Sequence, residues 1–412
     1  MRTAHRHPPN PLFSEHHADF KMKRLLLLAS LAGALPVSQC AAAGLYLYEL
    51  GTEDVGLANA GAAARAQDPG TIATNPAGMT ELSGSQLSVN GQALYGDIAY
   101  TLDQDRPRSG GNPGNVLGWY PGGSVFYSQQ MDEQLTLGFG MYGNFGLGLD
   151  FGDWAARSLI RESTLLGVTL QPSAAYKLDE RWSIGGGIGI NYGVFSFERD
   201  AWRGTVRQVD RDWALSGKFG VLYKPDGRTR IGLSYSSETR FRYQADATVG
   251  NFPLPISAQV NAPRQLMLSG FRQLSPQLAI LGSAGWQNWS RFGDSELEIA
   301  SASVSGASRL RDSWHASLGA QYQLKPKLRV NAGLAFDSSF YRDQNNTALT
   351  MPSGKSWRFG LGGQYQATAT SSIGLSLEYL TSDNARVSNP LYKGSYRHPQ
   401  LYFLGLQYTQ RL

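Results

Sequence analysis

The chain has one cysteine in 412 residues, so it can build neither a disulfide framework nor a cysteine-based zinc site. Only 17% of its residues are charged, and it holds six histidines. It has no run of 18 consecutive apolar residues, which excludes a polytopic helical membrane protein. No G-x-S-x-G or H-E-x-x-H pattern occurs. Gly138, Gly140 and Gly143 match a dinucleotide G-x-G-x-x-G, but they fall inside an alternating segment rather than between a strand and a helix. What is present instead is 48 glycines and 11% aromatic residues at a mean hydropathy of −0.30. That much glycine disfavours a helical enzyme.

Residues 1–43 read as upstream sequence and a signal peptide. Lys21, Lys23 and Arg24 precede an apolar stretch from Leu25 to Leu35, and Ala41-Ala42-Ala43 offers a cleavage site, with Met22 a candidate start. This leader carries five of the basic residues, two of the acidic ones and four histidines, leaving His315 and His398 beyond it. The basic balance is therefore partly an export signal and not a nucleic-acid footprint; no nucleic acid, cofactor or metal is expected, and no enzymatic activity.

From about residue 85 onward the apolar residues alternate with period two. Leu135, Leu137, Phe139 and Met141 continue to Phe145, Leu147 and Leu149; Trp182, Ile184, Ile188, Ile190, Tyr192 and Val194 share one parity; Ile231, Leu233 and Tyr235 run on to Phe241 and Tyr243. Each such run reads as a strand with one apolar face. Short turns at 132–133, 179–180, 225–227, 275–277, 325–327 and 370–371 alternate with longer polar segments near 103–122, 150–164, 200–210, 246–257, 292–312, 342–355 and 383–396. Residues 294–300 read as a hairpin extension inside one long loop. The layout predicts an all-β protein: a 14-stranded antiparallel transmembrane β-barrel over 85–412, its strands about 11–17 residues long. Closure is required because lipid offers no partner to an open sheet edge. Trp182, Tyr223, Trp286, Trp289, Trp314, Tyr322, Trp357 and Tyr379 read as interfacial girdles. Residues 44–84 do not alternate, carry one helical stretch near Val55–Ala66, and are expected as an N-terminal hatch plugging the lumen.

At that segment the chain resembles the FadL/TodX family of outer-membrane transporters. The resemblance rests on Gly56-Leu57-Ala58-Asn59-Ala60-Gly61, on Asn75-Pro76-Ala77-Gly78-Met79 and on Asn144-Phe145-Gly146-Leu147-Gly148-Leu149. It implies a protein in the outer membrane of a Gram-negative bacterium that passively transports hydrophobic molecules, long-chain fatty acids first, through a lumen pocket and a lateral exit in the wall. Aromatic or alkane hydrocarbons by the same route, or a general diffusion porin, are the alternatives. Carried over by residue, Asn75 and Pro76 would belong to the gating hatch near the wall opening. Gly143, Asn144, Phe145 and Gly146 would form the lateral kink, and Leu45, Tyr46 and Leu47 would approach the pocket.

Phe195 and Phe197 take the inward parity and are candidates for pocket lining. Arg157 and Arg161, beside Trp154, Leu159 and Ile160, could receive an acyl chain and its carboxylate, or lipopolysaccharide phosphates. Expected partners are the transported hydrophobic molecule, outer-membrane lipid and lipopolysaccharide, and the barrel assembly machinery; a monomer is expected. The chain ends on Leu412 where such barrels commonly end on an aromatic residue.

Overall fold

The computed structural model describes residues 47–103, 110–201, 204–249, 252–294, 296–299, 302–305, 310–388 and 393–412. The leader, Leu45 and Tyr46 lie outside the described residues. Fourteen strands close into one antiparallel barrel. They are β1 (Ser85–Asp97), β2 (Gly118–Gln130), β3 (Leu135–Asp150), β4 (Glu162–Lys177), β5 (Trp182–Ala201), β6 (Gly204–Asp226) and β7 (Thr229–Ser236), then β8 (Gln265–Gln273), β9 (Leu278–Gln287), β10 (Ser313–Lys325), β11 (Leu328–Asp337), β12 (Ser356–Gln366), β13 (Ser371–Ser382) and β14 (Gln400–Arg411). β1 closes the barrel on β14, from Gln86 opposite Arg411 to Asp97 opposite Gln400. The short turns fall where the sequence breaks its alternation, all at the end that holds both the start of β1 and the end of β14.

The period-two pattern sorts side chains as lipid and lumen require. Leu215 and Leu318 are each 71% exposed and Leu361 63%, a degree of apolar exposure that a wall in water would not sustain. On β5 and β6 the rings of Trp182 and Tyr223 stack at 4.3 Å near the short-turn end, and those of Tyr192 and Trp213 meet at 4.8 Å toward the other end. The ten-residue spacing between these two pairs, on tilted strands, corresponds to about 25 Å, the height of an outer-membrane apolar band.

Several sequence expectations are corrected. Strand lengths run from 8 residues in β7 to 23 in β6, wider than 11–17. The polar segment at 200–210 is no loop: β5 and β6 stay paired from Trp182 opposite Tyr223 to Ala201 opposite Gly204, with Glu198 facing Arg207. Polar residues suit a hairpin that has left the membrane. Phe241 and Tyr243 do not extend β7. They lie in a separate sheet whose strands 239–249, 252–262, 296–299 and 302–305 form part of the long-loop region, and there both rings are buried. The hairpin expected near 294–300 is the last part of that sheet. Trp289 is no girdle residue either; it is buried among loops, stacked on Phe340 at 4.5 Å.

The helical stretch expected at Val55–Ala66 is two short helices, α1 (Thr52–Gly56) and α2 (Ala62–Arg65). Ala58, Asn59 and Gly61 between them have φ of 46, 65 and 74°, the left-handed region that a continuous helix cannot contain. α3 (Thr71–Thr74) and a 3₁₀ turn (Pro76–Glu81) complete the segment.

Candidate functional site

Residues 47–82 run within the barrel and bond to strands around its circumference. Thr52 N donates to Gln407 Oε1 on β14 at 3.0 Å, and Gln364 on β12 donates to Thr52 Oγ1 at 2.6 Å. Gly61 N donates to Ser283 on β9 at 2.9 Å, Ala63 N to Ser269 on β8 at 3.1 Å, and Gln171 on β4 to Ile72 O at 2.7 Å. All but the Gln364 bond satisfy backbone groups that short helices leave open.

Within this segment Arg65 is held by Glu53 at 2.8 Å and Asp54 at 2.5 Å, while Arg329 on β11 also pairs with Glu53. Burial pushes the Asp54 carboxyl up to about 6 against the pull of Arg65. Burial raises Asp68 as well, opposed by Arg65 and by the bond from Gln407.

Asn75 anchors the 3₁₀ turn. Its Nδ2 donates to Ala63 O at 2.6 Å and to Val221 O at 3.0 Å, and its Oδ1 accepts from Ala77 N at 3.1 Å. Asn75 and Pro76, expected in a gating hatch near the wall opening, sit against β5 and β6. The reason is space, since a Cβ at Gly185 would strike Pro76 and Ala77, and one at Gly220 would strike Asn75.

The wall is interrupted between β2 and β3. Their ladder runs from Gln130 opposite Thr136 to Ser124 opposite Tyr142 and ends there. Beyond it, Gly118–Gly123 pairs with β1 and Gly143–Asp150 with β4, with no ladder pair between the two stretches among the described residues. Tyr120 Oη reaches Gly148 O at 3.2 Å across this gap, and Asp150 N meets Val116 O at 2.8 Å at its far edge. The β3–β4 register shifts between Gly143 and Phe145, so Asn144 is an extra residue in the ladder. The shift reverses parity. Phe145, expected outward with Leu137 and Phe139, is buried with Phe241, Tyr243, Ala214 and Ala262, and Leu149 is fully buried. Gly146 lies one residue further along β3, opposite Leu166.

Inside, a cavity of about 70 Å³ is bounded by Leu47, Tyr48, Tyr142, Gln171, Lys218 and Met267, among others. Leu47 is therefore at the cavity and also 3.9 Å from the Cβ position of Gly143. Phe195 does not line this cavity; it packs on the Phe145–Phe241–Tyr243 cluster, with its ring 5.5 Å from that of Tyr243. Phe197 packs against a larger apolar cluster that joins the long loops to the upper barrel, including Trp154, Ile160, Trp289, Phe340, Leu380 and Phe403. Arg157 and Arg161 are engaged by acids: Arg157 with Asp153 at 3.1 Å and Asp200 at 3.0 Å, Arg161 with Glu198 at 3.6 Å and Asp200 at 3.1 Å. The pairs to Glu198 and Asp200 tie the loop after β3 to the β5–β6 hairpin.

A buried ionic cluster on β10–β13 was not singled out from sequence. Arg358 bonds Asp337 at 2.8 Å and Glu378 at 3.3 Å, and also contacts Glu49. Asp337 also holds His315 Nδ1 at 2.8 Å, and His315 Nε2 lies 3.1 Å from Ser317. Tyr48 packs beside His315 at 4.8 Å and under the Arg358 guanidinium at 5.3 Å, with its hydroxyl accepting from Gln287 at 2.6 Å. One signal could have exposed it: Arg358 and Glu378 take the lumen parity between the lipid-facing pairs Trp357/Phe359 and Leu377/Tyr379.

A closed barrel of even strand number, ringed by aromatics and threaded by its own N-terminal segment, defines an outer-membrane β-barrel of the Gram-negative type. The chain is 25% identical to the long-chain fatty acid transport protein of Salmonella typhi, covering 90% of this chain and 95% of that one. It is 26% identical to outer membrane protein P1 of Haemophilus influenzae, covering 93% and 98%. A Pseudomonas aeruginosa FadL homologue superposes with a TM-score of 0.77 at 18% identity over 90% of this chain and all of that one. The Pseudomonas putida toluene transporter TodX does so with 0.68 at 15% over 89% and 99%. A model of the outer membrane protein transport family (OMPP1/FadL/TodX) matches residues 33–409, and the chain belongs to that family.

Proposed function

We propose that the chain carries hydrophobic molecules, long-chain fatty acids first, passively across the outer membrane through the lumen and sideways through the wall between β2 and β3. The observation that carries this reading is the interrupted ladder, bounded by Gly118–Gly123 on one side and Gly143–Asp150 on the other. A barrel in lipid does not leave strands unpaired without cause, since each open backbone group costs free energy. An aperture facing hydrocarbon is a route for a solute that prefers hydrocarbon to water. The fatty-acid assignment draws on the Salmonella typhi relative. Residues 47–82 act as the hatch in this reading, and their bonds to seven or more wall strands argue against an open porin.

The test is uptake of radiolabelled oleate and toluene by a deletion strain expressing the chain or its Gly143→Arg variant. A Cβ at Gly143 meets only ordinary contacts, so the variant should fold and fill the aperture. Uptake should fall about tenfold or more, the scale of a blocked path. Unchanged uptake would sink the lateral exit, and small-sugar conductance in planar bilayers would favour a porin.

A further inference from the structure

We infer that Arg358 is a carboxylate-exchange site: Glu49 occupies it as a resident stand-in, and the carboxylate of an amphipathic ligand takes its place. The inference rests on the transport reading above and names its substrate class as carboxylates rather than neutral hydrocarbons.

The wall supplies Arg358, His315, Asp337 and Glu378 from β12, β10, β11 and β13. Glu49 alone comes from elsewhere, on the strap of residues 47–50. Its side chain and those of Arg358 and Glu378 are each 3% exposed or less. Three carboxylates thus converge on one guanidinium and one imidazole. A further carboxylate added to this set would have to share one guanidinium with three resident carboxyl groups. One that replaces Glu49 leaves the charge of the cluster unchanged, so exchange is the only inexpensive way for an acid to enter. A guanidinium suits such exchange because its donors match any carboxylate in the same planar geometry.

The surroundings fit an acyl chain attached to that head. Leu380 stands opposite Arg358 in the β12–β13 ladder, and Phe403 opposite Glu378 in the β13–β14 ladder. Both belong to the apolar cluster that continues toward the long loops through Leu94, Leu401 and Val387. Leu47, two residues before Glu49, belongs to the same cluster and also stands beside Gly143 at the edge of the wall gap. Release of the Glu49 side chain therefore removes one restraint on Leu47, which stands both in the space the chain needs and beside the aperture. Two further bonds hold the strap, Gln92 to Glu49 O and Ser124 to Leu50 O, the latter at 2.6 Å. Both are to backbone, so they survive a change of the Glu49 side chain. A neutral hydrocarbon has no group to offer Arg358 and leaves the stand-in where it is.

The experiment measures binding of oleate and of oleyl alcohol, the same chain without the acid, to the purified full chain and its Glu49→Gln variant at about pH 8. Removing the competing charge should tighten oleate about tenfold and leave oleyl alcohol unchanged, since only the first ligand competes with Glu49. Arg358→Gln should bring oleate affinity to the level of the alcohol; if that variant does not fold, Glu49→Gln still decides. Equal shifts for both ligands, or an unmoved oleate affinity, would overturn the exchange site while leaving the transport reading intact. Failure of the unaltered chain to bind either ligand would overturn the transport reading and the exchange site with it.

Discussion

Asn75 makes three bonds from a fully buried side chain, two to backbone carbonyls and one from Ala77 N. Asn75→Ala should cost about 2 kcal/mol, from a lost cap and two carbonyls left without these donors. Thermal unfolding of the barrel in detergent would show the loss, and conversion to Asp rather than Ala should retain the cap but not the two donated bonds. Asp54 gives a pH dependence whose sign is fixed by burial. Its folded value of about 6 lies above the ordinary aspartate value of 3.8, so between those values the folded chain binds more protons than the unfolded one. Stability from this group is then greatest at low pH and is lost as pH rises through about 6. Asp54→Asn, which is never ionised, should therefore gain stability relative to the unaltered chain on going from pH 5 to pH 7.5. Melting temperatures of both proteins at the two pH values check this, and a difference that does not change with pH would remove Asp54 as the responsible group.

At the scale of elements, one residue decides the behaviour of β3. The alternation from Leu135 to Leu149 reads as one lipid-facing stripe, and the extra residue at Asn144 turns its second half into the lumen. Deleting Asn144 should remove the bulge, leave Phe145 opposite Gly167 and Leu149 opposite Ser163 so that both still face inward, and allow pairing with β2 to continue past Ser124. Oleate uptake should then drop about tenfold or more while the circular dichroism spectrum keeps its β-sheet signature, because a route would be lost and not the barrel. The same example marks how far the sequence could be read. Strand number, turn positions and lipid-facing residues were legible because a period of two leaves a mark at every position. A bulge leaves none: Gly143 and Gly146 hinted at a bend, but the residue that slips and the flip of Phe145 depend on the partner β4. The β5–β6 hairpin was misjudged for a related reason. Its polar residues match a loop in composition, and only cross-strand partners such as Glu198 and Arg207 reveal the ladder. Phe241 and Tyr243 shared a parity with β7 yet joined another sheet, where they cover Gly193 on β5.

For the whole molecule the question is what seals the lumen. The N-terminal segment lies so close to the wall that a Cβ at Gly333 would overlap the Leu57 backbone, and one at Gly232 the Ala63 carbonyl. Polar cavities of about 280 and 650 Å³ lie at the short-turn end and share Gln67 of that segment. Water therefore reaches the segment from that side, while the apolar cluster of the long loops lies at the other. Two variants separate the contribution of the segment from that of the loops. Gly333→Val forces a branched side chain into the Leu57 contact, and overpacking of this kind costs about 1–3 kcal/mol. It should loosen the segment without breaking any wall bond, because Gly333 keeps its ladder partners Gly319 and Gly360. Removal of residues 44–84 should go further and leave a barrel of fourteen strands around an unfilled lumen, wide enough for hydrated ions. In planar bilayers the intact chain should pass almost no current, Gly333→Val should show brief openings, and the truncated chain should conduct steadily. If the truncated barrel folds and remains as tight as the intact chain, the loops and not the N-terminal segment form the seal, and gating must be sought among Trp154, Trp289 and their neighbours.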